Sequence, residues 1–254
     1  MRRDLLQALE RAIAAERPVA VVTVLSGPDV GRQMLVSESD ETQGSLGGRA
    51  LDDAAREAAL AALPAGDSRR LELGAAGDAI DVFLDVHAPP PHLVIVGAVH
   101  VAIPLVAMAR LVGFRTSVVD PRPSFATAER FGHADEILVE WPREALGRLR
   151  LGETTCVAVL AHDLKLEVPA LLAALEARSR YVGVLGSRKT HARRLSALRE
   201  AGATEEQLAR LRAPIGLDVG ARTPEEIAVS ILAEIVAVTR RGKGDIPLFP
   251  QKGK

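Results

Sequence analysis

Hydrophobic residues recur every three or four positions at the start of the chain, a spacing that predicts an amphipathic helix over residues 2–16. Short apolar runs at 19–25 and 33–36 predict two strands. A second helix is predicted over 51–63, and the alternating segment 80–86 predicts a half-exposed strand. Together these elements predict a small α+β unit.

Three consecutive prolines interrupt the chain at 89–91, where they remove backbone donors and favour an extended conformation. We place a linker there, between an N-terminal α+β domain (1–88) and a C-terminal domain (92–241). The last residues, 242–254, are rich in proline, glycine and lysine, and this composition predicts a flexible tail.

Beyond the linker, strand and helix patterns alternate. Strands are predicted at 93–96, 115–119, 136–139, 155–160 and 181–185, and helices at 102–112, 124–131, 166–177 and 188–200. Alternation at this pitch implies right-handed crossovers, so we predict an α/β protein whose C-terminal domain is a Rossmann-like doubly wound parallel sheet. Capping residues predict the N-termini of two later helices. They are Thr204 with Gln207, and Thr223 with Pro224 and Glu226.

Composition narrows the classes of function. The 32 basic and 33 acidic residues give a net charge of -1, so no basic surface is expected to recruit nucleic acid. The N-terminus lacks the apolar core of a signal peptide and no stretch is long enough for a transmembrane segment, so we expect a cytoplasmic protein. A single cysteine, Cys156, excludes internal disulfides, and the histidine spacings predict no bound metal.

A nucleotide-binding turn follows the strand at 93–96, but its second glycine is missing. The three positions of the Gly-x-Gly-x-x-Gly fingerprint are Gly97, Val99 and Ala102. Val99 places a branched side chain where backbone and pyrophosphate approach each other, which weakens an assignment of NAD(P) binding. Asp120 stands where a ribose-binding acid occurs, although it could be only a strand-end residue before Pro121.

Two more turns offer ligand-binding groups. His162 and Asp163 follow a buried strand, at the edge where open α/β sheets bind ligands. His162 is a weak catalytic candidate because a histidine there could transfer a proton or donate to an anion, whereas Asp163 could simply cap the next helix. Gly216 and Asp218 lie in a glycine-rich loop that could close over a ligand or serve only as a tight connection.

The best anion site is predicted at the start of the helix over 188–200. Gly186, Ser187 and Arg188 combine a glycine turn, free backbone N–H groups and a cation. In the alternative interpretation Ser187 caps the helix and the basic residues are solvated, namely Arg188, Lys189, Arg193 and Arg194.

Six blocks of sequence identify a family. They are Gly44-Ser45-Leu46-Gly47, Val96-Gly97-Ala98-Val99-His100-Val101-Ala102, Val119-Asp120-Pro121-Arg122-Pro123, His162-Asp163, the segment 181–188 and the segment 214–226. Together they closely resemble the XdhC/CoxI family, the xanthine dehydrogenase accessory factors, and the last two are the most specific. The resemblance implies an N-terminal XdhC/CoxI domain joined to a Rossmann domain.

The resemblance also implies a function: binding molybdenum cofactor (molybdopterin), assisting its sulfuration and inserting it into a molybdenum hydroxylase of the xanthine or CO dehydrogenase type. The implied partners are the hydroxylase apoenzyme and a cysteine desulfurase, and a homodimer is left open. We therefore expect a cofactor-binding chaperone rather than an enzyme with its own turnover. The residues expected to bind the cofactor are Gly97, His100, Asp120, His162, Asp163, Gly186, Ser187, Arg188, Gly216 and Asp218.

The chain departs from the family pattern at two positions. Many members have a cysteine where this chain has Ala50, and a glycine where it has Val99. Sulfur or metal chemistry at that cysteine cannot occur at Ala50. Two alternatives stay open: an NAD(P)-dependent oxidoreductase using His162 as acid or base, and a non-catalytic scaffold that binds only the hydroxylase or a sulfurtransferase.

Overall fold

The computed structural model describes residues 2–39, 41–74, 79–149, 151–186 and 188–241. The side chains of Ala65, Arg188, Lys189 and Arg241 lie outside this description, as does the tail predicted at 242–254. The chain divides into two compact units, Met1–Pro89 and Pro90–Lys254. Among the described residues, no helix has both the length and the apolar character needed to cross a membrane.

The first unit is an antiparallel sheet with helices on both faces. Its strands are β1 (Val19–Val24), β2 (Gln33–Ser37), β3 (Thr42–Gly44), β4 (Arg69–Leu73) and β5 (Ile80–His87), in the order β3-β2-β1-β5-β4, and its helices are α1 (Arg3–Ala14) and α2 (Arg49–Ala62). Alternate residues of β1 pack on opposite helices: Ala20 and Val22 share a core with α2, and Val19 and Val21 share one with α1. Burial on both faces explains why β1 is a continuous apolar run.

The second unit is a parallel sheet of six strands in its described part. The strands are β6 (His92–Val96), β7 (Arg115–Val119), β8 (Glu136–Leu138), β9 (Thr155–Val159), β10 (Tyr181–Val184) and β11 (Leu211–Arg212). The helices are α3 (Ala102–Leu111), α4 (Ala128–Phe131), α5 (Pro142–Arg148), α6 (Leu164–Glu176), α7 (Arg188–Glu200), α8 (Glu205–Ala209) and α9 (Pro224–Arg241).

The strand order confirms the predicted fold class. The order β8-β7-β6-β9-β10-β11, with every neighbouring pair parallel, is the 3-2-1-4-5-6 order of dinucleotide-binding sheets. Alternate residues of β6 face two separate cores: Ile95 packs with Leu105 and Ile231 from α3 and α9, and Val94 packs with Leu171 from α6. The helices therefore cover both faces of the sheet.

Most predicted elements are confirmed to within two residues at each end, and both predicted helix starts are real. Thr204 and Gln207 form a capping box, and the Thr223 Oγ1 accepts from the Glu226 backbone N–H at 3.2 Å. The sequence prediction missed β3, β4, α5 and β11 and made α4 too long. Leu73 is the one buried residue of the missed strands, so these strands lack the apolar alternation on which strand prediction depends.

Candidate functional site

The predicted site residues of the second unit lie on loops at one edge of its sheet. All strands of a parallel sheet end at the same edge, and the ligand crevice of such sheets lies where the strand order reverses. Here that point lies between β6 and β9. Gly97 follows β6, Asp120 follows β7, His162 follows β9, Gly186 follows β10 and Gly216 follows β11.

Gly97 is required by close packing at this reversal point. Its φ of +107° lies in the region that favours glycine, and a Cβ atom added to it would lie 2.6 Å from the backbone nitrogen of Ala161. The Ala161 N–H itself donates to the Val96 carbonyl at 3.2 Å. The glycine therefore allows the chain leaving β9 to pass directly over the turn that follows β6.

Val99 occupies the position of the second fingerprint glycine. Its side chain is half-buried and packs against the hydrophobic core under α3 and α9. Its backbone N–H donates to the Gly97 carbonyl at 2.9 Å. The side chain thus takes part in packing at the place where a dinucleotide fingerprint leaves open backbone.

Asp120 fastens the ends of β6 and β7 together. Its carboxylate is fully buried and accepts from the Ala98 N–H at 2.8 Å and from the Arg122 N–H at 3.0 Å. The Arg122 guanidinium adds a bidentate pair at 2.7 and 2.8 Å. Burial raises the pKa of Asp120, but the hydrogen bonds from Arg122 and Ala98 outweigh it, so the pKa lies below its usual value.

Arg122 is a preorganised cation at the ligand edge. Its side chain remains 43% exposed, and its guanidinium lies 3.8 Å from the centre of the Phe125 ring. Hydrogen bonding to Asp120 raises the pKa of Arg122 against the effect of burial, and the charges of Asp120 and Asp163 raise it further. Asp163 follows β9, on the other side of the reversal point.

The remaining predicted side chains at this edge have varied environments. His100, His162 and Asp218 are exposed and form no side-chain hydrogen bond or ion pair with another described residue. Asp163 caps α6, because its carboxylate accepts from the Lys165 N–H at 2.9 Å. Capping leaves the exposed Asp163 carboxylate available for a second contact.

The predicted anion site at α7 is described only in part. Ser187 lies outside the described residues, and Arg188 is the first residue of α7, with a side chain outside the description. The alternative that all four basic residues are solvated is wrong for Arg194, which is only 1% exposed. Its Nε donates to a Glu167 carboxylate oxygen at 2.7 Å, and one of its terminal nitrogens donates to the Leu185 carbonyl at 2.9 Å.

Sequence reasoning also missed Glu234, a buried carboxylate on α9. It accepts from the Tyr181 hydroxyl at 2.5 Å and from the Gly216 N–H at 2.8 Å, and thereby fixes the glycine-rich loop against β10. A signal for both buried charges was present, since Arg194 lies four residues before the buried Leu198 and Glu234 three after the buried Ile231. The alternative interpretation of the sequence had placed the charged Arg194 side chain in solvent, and it made no prediction for Glu234.

The glycine loop of the first unit is a separate feature. The Asp52 carboxylate accepts from the Ser45 hydroxyl at 2.8 Å and from the Leu46 N–H at 2.7 Å. Ala50, in the first turn of α2, is exposed. A reactive side chain could act at this exposed position beside a fixed loop, but the methyl group of Ala50 is unreactive.

Two family models match the chain. The model described as the XdhC Rossmann domain covers residues 93–235, and the one described as the XdhC and CoxI family covers residues 12–74. The uncharacterised Escherichia coli K12 protein YqeB is 33% identical over 248 residues, which are 89% of this chain and 43% of YqeB. The molybdenum cofactor insertion chaperone PaoD, also from E. coli K12, is 35% identical over 147 residues, which are 55% of this chain and 46% of PaoD.

The chain therefore spans less than half the length of these two relatives. Among solved structures, a Bacillus halodurans protein described as a xanthine dehydrogenase matches with a TM-score of 0.55 at 22% identity, over 94% of this chain and 96% of that one. At this level of identity the likeness concerns the fold alone.

Proposed function

The chain belongs to the XdhC and CoxI family, and from this premise we propose that it binds molybdenum cofactor and delivers it to a molybdenum hydroxylase apoenzyme. The molybdenum cofactor insertion chaperone PaoD is the relative whose name supports this role. The structural observation that carries the proposal is Arg122, a half-exposed cation held by Asp120 and Phe125 beside the reversal point of the sheet.

The donors at this edge suit the chemistry of the ligand. Molybdenum cofactor is a pterin with a phosphate group and an anionic dithiolene-bound metal, so its binding needs cations and hydrogen-bond donors. Arg122 supplies a guanidinium whose orientation is fixed before binding, which reduces the entropy lost on binding. His162 is exposed on the loop after β9, and α7 begins at Arg188, so its N-terminal end would favour a negatively charged group.

In this proposal the cofactor-binding residues remain Gly97, His100, Asp120, His162, Asp163, Gly186, Ser187, Arg188, Gly216 and Asp218, to which Arg122 is added. Gly97, Asp120 and Gly216 act by shaping the edge. Arg122, Arg188 and His162 act by direct contact with the ligand.

We further propose that any sulfur for sulfuration comes from a partner such as a cysteine desulfurase. The family cysteine is replaced by Ala50, and the one cysteine of the chain, Cys156, is fully buried in β9. Burial raises the pKa of the Cys156 thiol to about 12, so it remains a poor nucleophile at neutral pH. The chain would then hold the cofactor while another protein modifies it.

The NAD(P)-dependent oxidoreductase remains an alternative with weaker support. The strand order favours it, but Val99 packs where the fingerprint has glycine, and both Asp120 oxygens already accept bonds from the chain's own donors. Stoichiometric NAD(H) binding with substrate turnover would favour this alternative. Retained association with a hydroxylase without pterin would favour the non-catalytic scaffold.

The test is the pterin content of protein purified anaerobically from molybdate-replete cells, measured as the fluorescence of the released oxidised pterin. We expect Arg122→Gln and Arg188→Ala each to lower the content about tenfold, because each removes a charge-assisted bond. Arg130→Gln is the control, since Arg130 also faces the Phe125 ring but bonds the Phe125 carbonyl. Native protein without pterin, or variants with native pterin content, would contradict the proposal.

A further inference from the structure

Helix α9 has a long uncharged surface over residues 227–239. Between Glu226 and Arg240 the sequence has one charged residue, Glu234, and that residue is only 3% exposed. The two hydroxyl side chains of this stretch, Ser230 and Thr239, donate to backbone carbonyls of their own helix. A helix that is apolar on every side is normally covered on every side.

One side of α9 is nevertheless open to solvent. Together with the end of α3 it forms an apolar groove of about 520 Å³, whose walls include Met108, Val112, Val229, Ala233, Val236 and Ala237. Val112 and Val229 are about half exposed, and Leu111, next to Val112 on α3, is 87% exposed. Contiguous exposed apolar surface of this kind marks an interaction site, unlike the single apolar residues scattered over most protein surfaces.

The open side of α9 is complementary to itself. Residues at intervals of three or four form one row along a helix, and here that row consists of Glu225, Val229, Ala233, Val236 and Arg240. The row begins with an acidic residue, ends with a basic one and is apolar between them. Turned end to end against a copy of itself, it sets acid against base and valine against valine. The small Ala233 lies near its middle, where two helices can approach closely.

We propose that this face, formed by α9 and the end of α3, binds a second copy of the chain about a two-fold axis near Ala233. Both copies use the same patch in a two-fold interface, so the patch must be complementary to itself. The two α9 helices would run antiparallel, with Glu225 beside Arg240 of the second copy. Because α9 begins just after the glycine-rich loop, the ligand edges of the two copies would lie at opposite ends of the dimer. This interface involves no ligand and is independent of the proposed function.

Sedimentation equilibrium of the full chain over a wide range of concentrations tests this assembly. The chain has a mass of 27.0 kDa, and we expect a species of twice that mass. Val229→Glu should weaken the dimer about a hundredfold or more, because association would bury two unpaired carboxylates. Val139→Glu is the matched control: Val139 lies outside this face and is 45% exposed against 51% for Val229, so its effect should stay within about twofold. A native chain that stays at 27.0 kDa, or a Val229→Glu dimer as stable as the native one, would overturn the proposal.

A charge swap distinguishes a second copy from any other occupant of the groove. Glu225→Arg and Arg240→Glu should each weaken the dimer about three- to tenfold, because each sets like charges opposite one another at both ends of the interface. The double variant restores opposite charges and should dimerise within about twofold of the native chain. A double variant no tighter than the single ones would contradict the antiparallel arrangement and with it the proposal.

Circular dichroism establishes that each variant is folded. Should Val229→Glu fail to fold, Leu111→Glu takes its place, because a side chain that is 87% exposed contributes little to the fold of the single chain. An undiminished dimer in that variant would equally overturn the inference.

Discussion

At the scale of single residues, Gly97 and Gly113 differ in what surrounds them. Both have positive φ angles, +107° and +88°, but a Cβ at Gly97 would lie 2.6 Å from the Ala161 nitrogen whereas nothing lies within 4 Å of one at Gly113. Gly113→Ala should cost about 1–2 kcal/mol from backbone conformation alone. Gly97→Ala should cost about 1–3 kcal/mol more because the backbone of 160–161 must move.

Urea denaturation of the two alanine variants measures this difference in the free energy of unfolding. Equal losses would mean that the turn after β6 can relax away from Ala161.

Gly97 also shows what the sequence could predict. The fingerprint identified Gly97 as a turn residue, and the structure adds its contact with the loop after β9. Arg194 shows the opposite case, in which a charged residue predicted to be solvated is buried by its pairing with Glu167.

At the scale of elements, Asp120 joins the ends of β6 and β7, and its contribution should depend on pH. Because its pKa is lowered in the folded chain from the ordinary 3.8, its stabilisation is present above that value and is lost as pH falls through the folded pKa. Asp120→Asn should therefore reduce the free energy of unfolding by about 1.5–3 kcal/mol at neutral pH.

The difference between native and Asp120→Asn protein should shrink as the pH is lowered below about 4, where the Asp120 carboxylate is protonated in the unfolded chain but still ionised in the folded chain. Chemical denaturation at a series of pH values checks this expectation. A difference that stays constant into acid would show that the shape of Asp120, rather than its charge, holds the two strand ends.

The elements that were predicted and those that were missed differ in burial. β6, β9 and β10 are buried almost throughout and appear as apolar runs, and they were predicted within two residues. The edge strands β4 and β11 have few buried residues, so backbone pairing with a neighbour defines them more than their own side chains do. Such pairing is a tertiary contact that sequence periodicity does not report.

At the scale of the whole molecule, Cys156 is a natural probe of the unfolding of the second unit. It is fully buried in β9, and with a pKa of about 12 only about one molecule in ten thousand would carry the thiolate near pH 8. A disulfide reagent should therefore modify the native chain only as fast as the second unit unfolds. Rapid modification of native protein would show that the β9 strand opens locally, and a urea-unfolded sample provides the positive control.

The sequence by itself determined the family, the alternating α/β pattern and most of the helices and strands, because these depend on local periodicity and on motifs read in order along the chain. Only the tertiary structure decided that Arg194 lies buried beside Gly186, that Asp120 clamps two strand ends and that Glu234 holds the glycine-rich loop. The physical reason is that the free energy of a charged group depends on the partners that folding brings to it. Partners such as Ala98 for Asp120 and Tyr181 for Glu234 lie 22 and 53 residues away along the chain, beyond the reach of a local pattern.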